Sequence, residues 1–305
     1  MPVAEGTGEK PKVVYVLGSH RSGSTVLGVA LGNCEGVFFA GELSAWTAKR
    51  GIPSFGGGDA ARFWEAVAKD VHDAADLLGP DTEQCMDRTS VLFRMHKWPR
   101  RRRVRSRYRC VQQDLFGAIA RRAGVTHIVD NSHYPLRAKE LQRLDGIDLY
   151  LLFLARDAQS VMASFDPRDK TSGSRPAVRA HSYLWATHLL ALLVFLRHPQ
   201  ERRMFVRHED FLADPHGVLR QILDRVGSSA AIPDLTALST GSPLQGNRFL
   251  RESDIVALRG PAKAAPRSRV TAVVQFPWRL VLSRLRPAVT ASRGPADKPG
   301  RASSH

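Results

Sequence analysis

The stretch Lys12–Leu31, KVVYVLGSHRSGSTVLGVAL, leaves few folds open to this chain. Val13–Leu17 is a short, β-branched apolar run, the composition of a strand buried on both faces. Gly18-Ser-His-Arg-Ser-Gly23 then turns the chain, and Thr25–Leu31 continues as a small, apolar helix. Strand, glycine turn and helix in that order gather backbone N–H groups at one helix N-terminus. Unpaired amides and the helix dipole both favour negative charge there, so the turn is read as an oxyanion cradle.

The spacing Gly18-x-x-x-x-Gly23 matches a nucleotide-triphosphate P-loop, yet Ser24 stands where that motif carries lysine, while Thr25 keeps the hydroxyl. The cation has moved to Arg21, inside the loop. A guanidinium fork suits a phosphate or sulfuryl group that spreads its charge over several oxygens.

Further buried strands follow at Gly36–Gly41, Thr126–Val129, Asp148–Leu154 and Met204–Arg207, separated by helical segments. This alternation predicts a three-layer α/β fold, P-loop-like at its start, with a mainly parallel central sheet flanked by helices. Ligands of such sheets bind beyond the carboxyl ends of the strands, which puts Glu42 in the same crevice as the glycine loop. A positioned carboxylate there can take the proton from an attacking hydroxyl; a first-turn acid before Leu43-Ser-Ala-Trp46 is the structural alternative. Asp130 at the next strand end imitates the magnesium-binding aspartate of P-loop NTPases. His133 is read as a proton donor near a leaving oxygen or as a loop histidine bonded to backbone. His188 is expected to pack.

His20-Arg-Ser-Gly-Ser-Thr25 resembles the 5′-phosphosulfate loop of sulfotransferases that use 3′-phosphoadenosine 5′-phosphosulfate (PAPS), in its tyrosylprotein and bacterial-type branches, where arginine occupies the position of Arg21. The resemblance runs from about Lys12 to Arg251. It implies a transferase that binds this nucleotide through Arg21, Ser22, Gly23, Ser24 and Thr25, with no metal and with 3′,5′-bisphosphoadenosine (PAP) as product. Arg156 and Ser164 match the arginine and serine that hold the 3′-phosphate, and Gly246, Asn247 and Arg248 resemble the segment that closes over it. The pair Gly41-Glu42 matches one whose glutamate is the catalytic base. The family lysine after the third strand is missing; Asn131 or His133 takes its place, depending on alignment. Arg21, Glu42 and His133 are thus the catalytic candidates, and the acceptor is a small-molecule or carbohydrate hydroxyl.

The resemblance divides the 305 residues into a flexible start (1–11), a sulfotransferase domain (12–260) with a helical insertion at 47–110 that helps to form the acceptor region, and a basic, partly disordered extension (261–305). Formal charge is +16 and uneven: one basic run spans Arg94–Arg109, and from Arg259 onward ten Lys or Arg residues meet Asp297 as the sole acid. These runs are read as solvated surface that steers anions rather than as a nucleic-acid interface, and Val270–Leu285 as a terminal helix or a segment lying on an anionic membrane surface. Asp166–Pro176 is read as a lid. Three cysteines without metal or redox spacing, no leader-like apolar core and no membrane-length apolar run suggest the cytoplasm. Two rival functions stay open on the sequence: a P-loop kinase or NTPase, and a non-catalytic anion- or nucleic-acid-binding protein. Oligomeric state is not written in the sequence.

Overall fold

The computed structural model describes residues 9–46, 58–71, 80–163, 177–245, 250, 253–258, 260 and 268–285. Ser164, Gly246, Asn247, Arg248 and the Asp166–Pro176 stretch lie outside the described residues. Strands β1 (Lys12–Gly18), β2 (Val37–Gly41), β3 (His127–His133), β4 (Asp148–Ala155) and β5 (Arg203–Arg207) form one sheet in the order β2-β3-β1-β4-β5, every neighbouring pair parallel. The central strand alternates cleanly: Val13, Tyr15 and Leu17 enter one core, Val14 and Val16 the other. Period-two alternation in a strand that is apolar throughout is what burial on both faces demands.

The helices divide between those two cores. On one face lie α1 (Ser24–Gly32), α8 (His208–Ala213) and α9 (Pro215–Arg225); on the other lie α2 (Gly58–Asp70), α4 (Trp98–Ala123), α5 (Pro135–Leu141) and α7 (Ala177–Leu196), with α3 (Pro80–Met86) and α6 (Ala158–Ala163) between them in sequence. The chain leaving β1 therefore turns to one face, while the chains leaving its neighbours β3 and β4 turn to the other. That divergence opens a crevice at the carboxyl end of β1, the usual ligand position in doubly wound sheets. A short antiparallel pair, β6 (Leu238–Ser239) with β7 (Ile255–Val256), and two terminal helices, α10 (Arg269–Val274) and α11 (Phe276–Arg284), complete the described chain.

Two expectations change. The basic run is not simply solvated surface: its Arg100–Arg109 part lies inside α4, which begins at Trp98 with proline in its first turn. Arginine is a good helix former, and spacing by fours brings Arg101, Arg105 and Arg109 onto one stripe. All three reach the buried Glu140 carboxylate, at 2.9, 3.2 and 2.7 Å. Arg101 also donates to the Cys85 and Met86 carbonyls. Three of the nine Lys and Arg residues from Arg94 to Arg109 are thus tied to one internal carboxylate. Similarly, Val270–Leu285 is two helices broken at Gln275, because Pro277 in the first turn of α11 has no N–H to continue α10.

Candidate active site

The glycine loop has the geometry its sequence asks for. Gly23 sits at φ 90°, left-handed backbone open to glycine, and a Cβ there would lie 2.2 Å from the His208 ring. Arg21 also occupies left-handed backbone, at φ 66°, without glycine's freedom. What holds it there comes from another strand: Arg156, just past β4, donates from Nη1 to the Arg21 carbonyl oxygen at 2.9 Å. The two clusters that the sequence assigns to opposite ends of one nucleotide therefore touch. Burial lowers the Arg156 pKa from its ordinary value, and the nearby Glu209 and Asp157 carboxylates oppose that shift.

Unpaired polar atoms line this loop. The Ser22 hydroxyl is buried with no hydrogen-bond partner, and so is Nδ1 of His208, against which Gly23 packs. Buried polar groups are rarely left unpaired unless a ligand or ordered water completes them. Together with the amides at the start of α1, they fit a phosphate or sulfuryl group. Burial, and then the Arg156 charge, push the His208 pKa down to about 4, so its ring is neutral near pH 7.

The end of β3 supplies a second wall. His133, at φ 65°, places Nε2 3.1 Å from the Ser24 hydroxyl. Burial, and after it the neighbouring His20, hold its pKa well below the ordinary histidine range. The contact ties the end of β3 to the hydroxyl at the start of α1. Asn131 is fully buried, and both of its amide atoms lack partners. Asp130 does not stand free to hold a metal. One of its oxygens accepts from the Ser132 amide and hydroxyl, the other from Nε and Nη2 of Arg137 at 3.2 and 3.1 Å, with both partners fully buried. Arg137 also donates to the Tyr108 hydroxyl, which in turn donates to Asp87. Among the described residues no cluster of three or more His, Cys, Asp or Glu could hold a metal ion.

Glu42 follows β2, as expected. Gly41 at φ 74° makes the turn, its missing Cβ leaving room for the Gln245 carbonyl, to which the Glu42 amide donates at 2.8 Å. The Gln245 side chain reaches the Glu42 carboxylate at 3.4 Å. Two residues further on, the Ser44 amide donates to the Ser132 hydroxyl, tying the Glu42 segment to the His133 end of β3. Several neighbours of this cleft carry no signal in the sequence. His20 stacks on Tyr183 of α7 with centroids 5.9 Å apart and meets His133 and Tyr134 edge-on. The Tyr134 hydroxyl donates to Glu83 of α3. Burial, then Glu83 and more weakly Glu42, raise the Tyr134 pKa above its usual value. His188 packs, as expected, buried against Phe153 and Trp278. Asp214 caps α9 by accepting from the Gly217 amide, and Glu209 accepts from the Asp157 amide, both structural tasks.

A model of the sulfotransferase family matches residues 11–231. The sulfotransferase domain from the curacin biosynthetic pathway superposes with a TM-score of 0.51 at 17% identity, covering 88% of this chain and 98% of that one. The sulfotransferase domain from the Synechococcus PCC 7002 olefin synthase gives the same TM-score and identity over 91% of this chain and 98% of its own. At such identity these two speak for the fold. No curated protein matches the sequence.

Proposed function

The chain belongs to the sulfotransferase family, and on that premise we propose that it moves a sulfuryl group from PAPS to an acceptor hydroxyl by in-line displacement at sulfur. The acceptor oxygen forms its bond to sulfur as the bond from sulfur to the 5′-phosphate oxygen breaks. Glu42 takes the acceptor's proton and PAP leaves. The amides and hydroxyls of Ser22–Thr25 hold the phosphosulfate, and Arg21 meets charge growing on the leaving oxygen. His133 positions the Ser24 hydroxyl. Arg156, with Ser164 and the Gly246–Arg248 segment, holds the 3′-phosphate. Catalysis in this scheme is positioning and electrostatic stabilisation, as in phosphoryl transfer. The acceptor enters between Glu42, Tyr134 and Tyr183.

One observation supports this reading: Arg156 donates to the Arg21 carbonyl, so the groups proposed for the two anionic ends of the donor adjoin one another. The NTPase alternative needs an aspartate free to organise a metal after β3, and Asp130 is instead sealed in an ion pair with Arg137.

The test is calorimetry with PAP, followed by transfer of labelled sulfate from PAPS to a panel of phenols, alcohols and sugars. PAP is expected to bind, and Arg156→Ala to weaken it about tenfold or more, the cost of a charge-assisted phosphate contact. Tight binding of Mg·ATP with no response to PAP would overturn the proposal.

A further inference from the structure

Between Asp87 and Asp114 the chain carries ten Lys or Arg residues and no acid. Arg101, Arg105 and Arg109 close inward on Glu140. Others gather at the start of α4, which the chain reaches through two 3-10 turns, Thr89–Phe93 and Met95–Lys97. Hydrogen bonds hold these turns in place. Val91 is fully buried, and its carbonyl accepts from the Trp98 indole and from the Arg94 amide, both at 3.0 Å. Lys97 donates to Gln84 of α3 at 2.7 Å, and Arg100 pairs with Asp81 of the same helix at 3.2 Å.

From this fixed projection large apolar side chains face outward. Leu92, Phe93, Met95 and Trp98 are 39, 83, 71 and 39% exposed. Single exposed apolar residues are ordinary, but four within seven residues make a contact patch. The charges around it choose the partner. Arg94, Arg102 and Arg103 are exposed and form no ion pair or side-chain hydrogen bond among the described residues. A nucleic-acid duplex would take these guanidinium groups and leave Phe93 and Met95 in water. An apolar protein face would take the apolar side chains and leave the charges. An anionic bilayer uses both, because its phosphates pair with arginine while Phe, Met and Trp enter the boundary between headgroups and acyl chains. Long arginine stems let the charge stay at headgroup level above the rings.

We infer that the Leu92–Arg103 segment is a docking surface for an anionic lipid bilayer, with Phe93 and Met95 inserted and Arg94, Arg102 and Arg103 on the phosphates. The attachment is peripheral: among the described residues no helix is long and apolar enough to cross a membrane. An apolar patch or a basic patch alone holds a protein weakly at a bilayer; the two side by side make the attachment firm.

The test is sedimentation of the full chain with vesicles of phosphatidylcholine and phosphatidylglycerol in equal parts, against vesicles of phosphatidylcholine alone. Saturable binding to the mixed vesicles is expected, weaker at high salt and much weaker without phosphatidylglycerol. Exchanging Phe93 and Met95 together for serine should weaken it about tenfold or more. Exchanging Arg94, Arg102 and Arg103 for glutamine, at about fivefold per charge, should weaken it about 10²-fold. All five side chains are exposed, so both variants should keep the parent's urea midpoint. Neither variant touches the glycine loop or Glu42, so the outcome does not depend on the proposed transfer. No binding to the mixed vesicles, equal binding to phosphatidylcholine alone, or binding that either variant leaves intact would overturn the surface. Loss of DNA-duplex binding rather than vesicle binding in the arginine variant would assign it to nucleic acid instead. Loss of self-association rather than vesicle binding in the serine variant would assign it to a second copy of the chain, and either result overturns the proposal.

Discussion

Arg21 offers a way to separate the backbone of the glycine loop from the chemistry proposed for it. It holds left-handed backbone at φ 66°, a conformation that costs an L-residue roughly 1–2 kcal/mol and glycine almost nothing. Glycine gives back about 0.5–1 kcal/mol through the greater freedom of its unfolded chain. Arg21→Gly and Arg21→Ala lose the same guanidinium, so their difference isolates the backbone. The glycine variant should be the more stable by about 1 kcal/mol, from roughly 1–2 less 0.5–1. The Arg156 contact does not blur the comparison, because it is made to the main-chain carbonyl, which both variants retain. Sulfuryl transfer should fall in both by about 10²–10³, the loss typical of one positioned donor to a developing anion. Urea denaturation followed by circular dichroism gives the first quantity, and initial rates with labelled PAPS the second. Equal stability of the two variants, or a glycine variant that keeps its rate, would refute the division of labour.

Glu42→Gln should leave PAP affinity within about twofold while lowering transfer by about 10²–10⁴, the range of a lost general base; an active variant discards that assignment. Asp130→Asn strands the fully buried Arg137 guanidinium and should cost about 3–5 kcal/mol in urea unfolding, whereas exchanging both partners for apolar residues of similar volume should cost much less. Asp87 gives a pH signature. Burial pushes its carboxyl up from 3.8 to about 7, with Arg137 and the Tyr108 hydrogen bond opposing, and its second oxygen has no partner and can carry the proton. The folded state therefore holds a proton that the unfolded chain releases, so this residue's contribution is full below about pH 4 and is lost as pH rises toward 7. Unfolding midpoints of Asp87→Asn measured from pH 4 to 8 should show that decline flattened relative to the parent; parallel profiles would discard the assignment.

The sequence by itself determined what is local. A β-branched run that stops at a glycine, a turn of small residues and an apolar helix encode the strand–glycine loop–helix unit within twenty residues, because strand, turn and helix propensities act over a few positions. The same reasoning places Glu42 after β2, Arg156 after β4 and the Asp214-Pro215 start of α9, each at an element boundary that the pattern marks. Only the tertiary structure decided which of these ends meet. Arg156 and the Arg21 carbonyl are 135 residues apart, and no periodicity reports a contact across that distance. Packing also reassigned charge: the arginine stripe of α4 closes on Glu140 of α5, and Asp130, metal-like in sequence, is consumed by Arg137. The outward patch around Phe93 belongs to this second class. Which side chains of the basic run close inward and which stay at the surface beside Phe93 and Met95 depends on where α3 and α5 pack against α4, and the order of residues along α4 does not contain that.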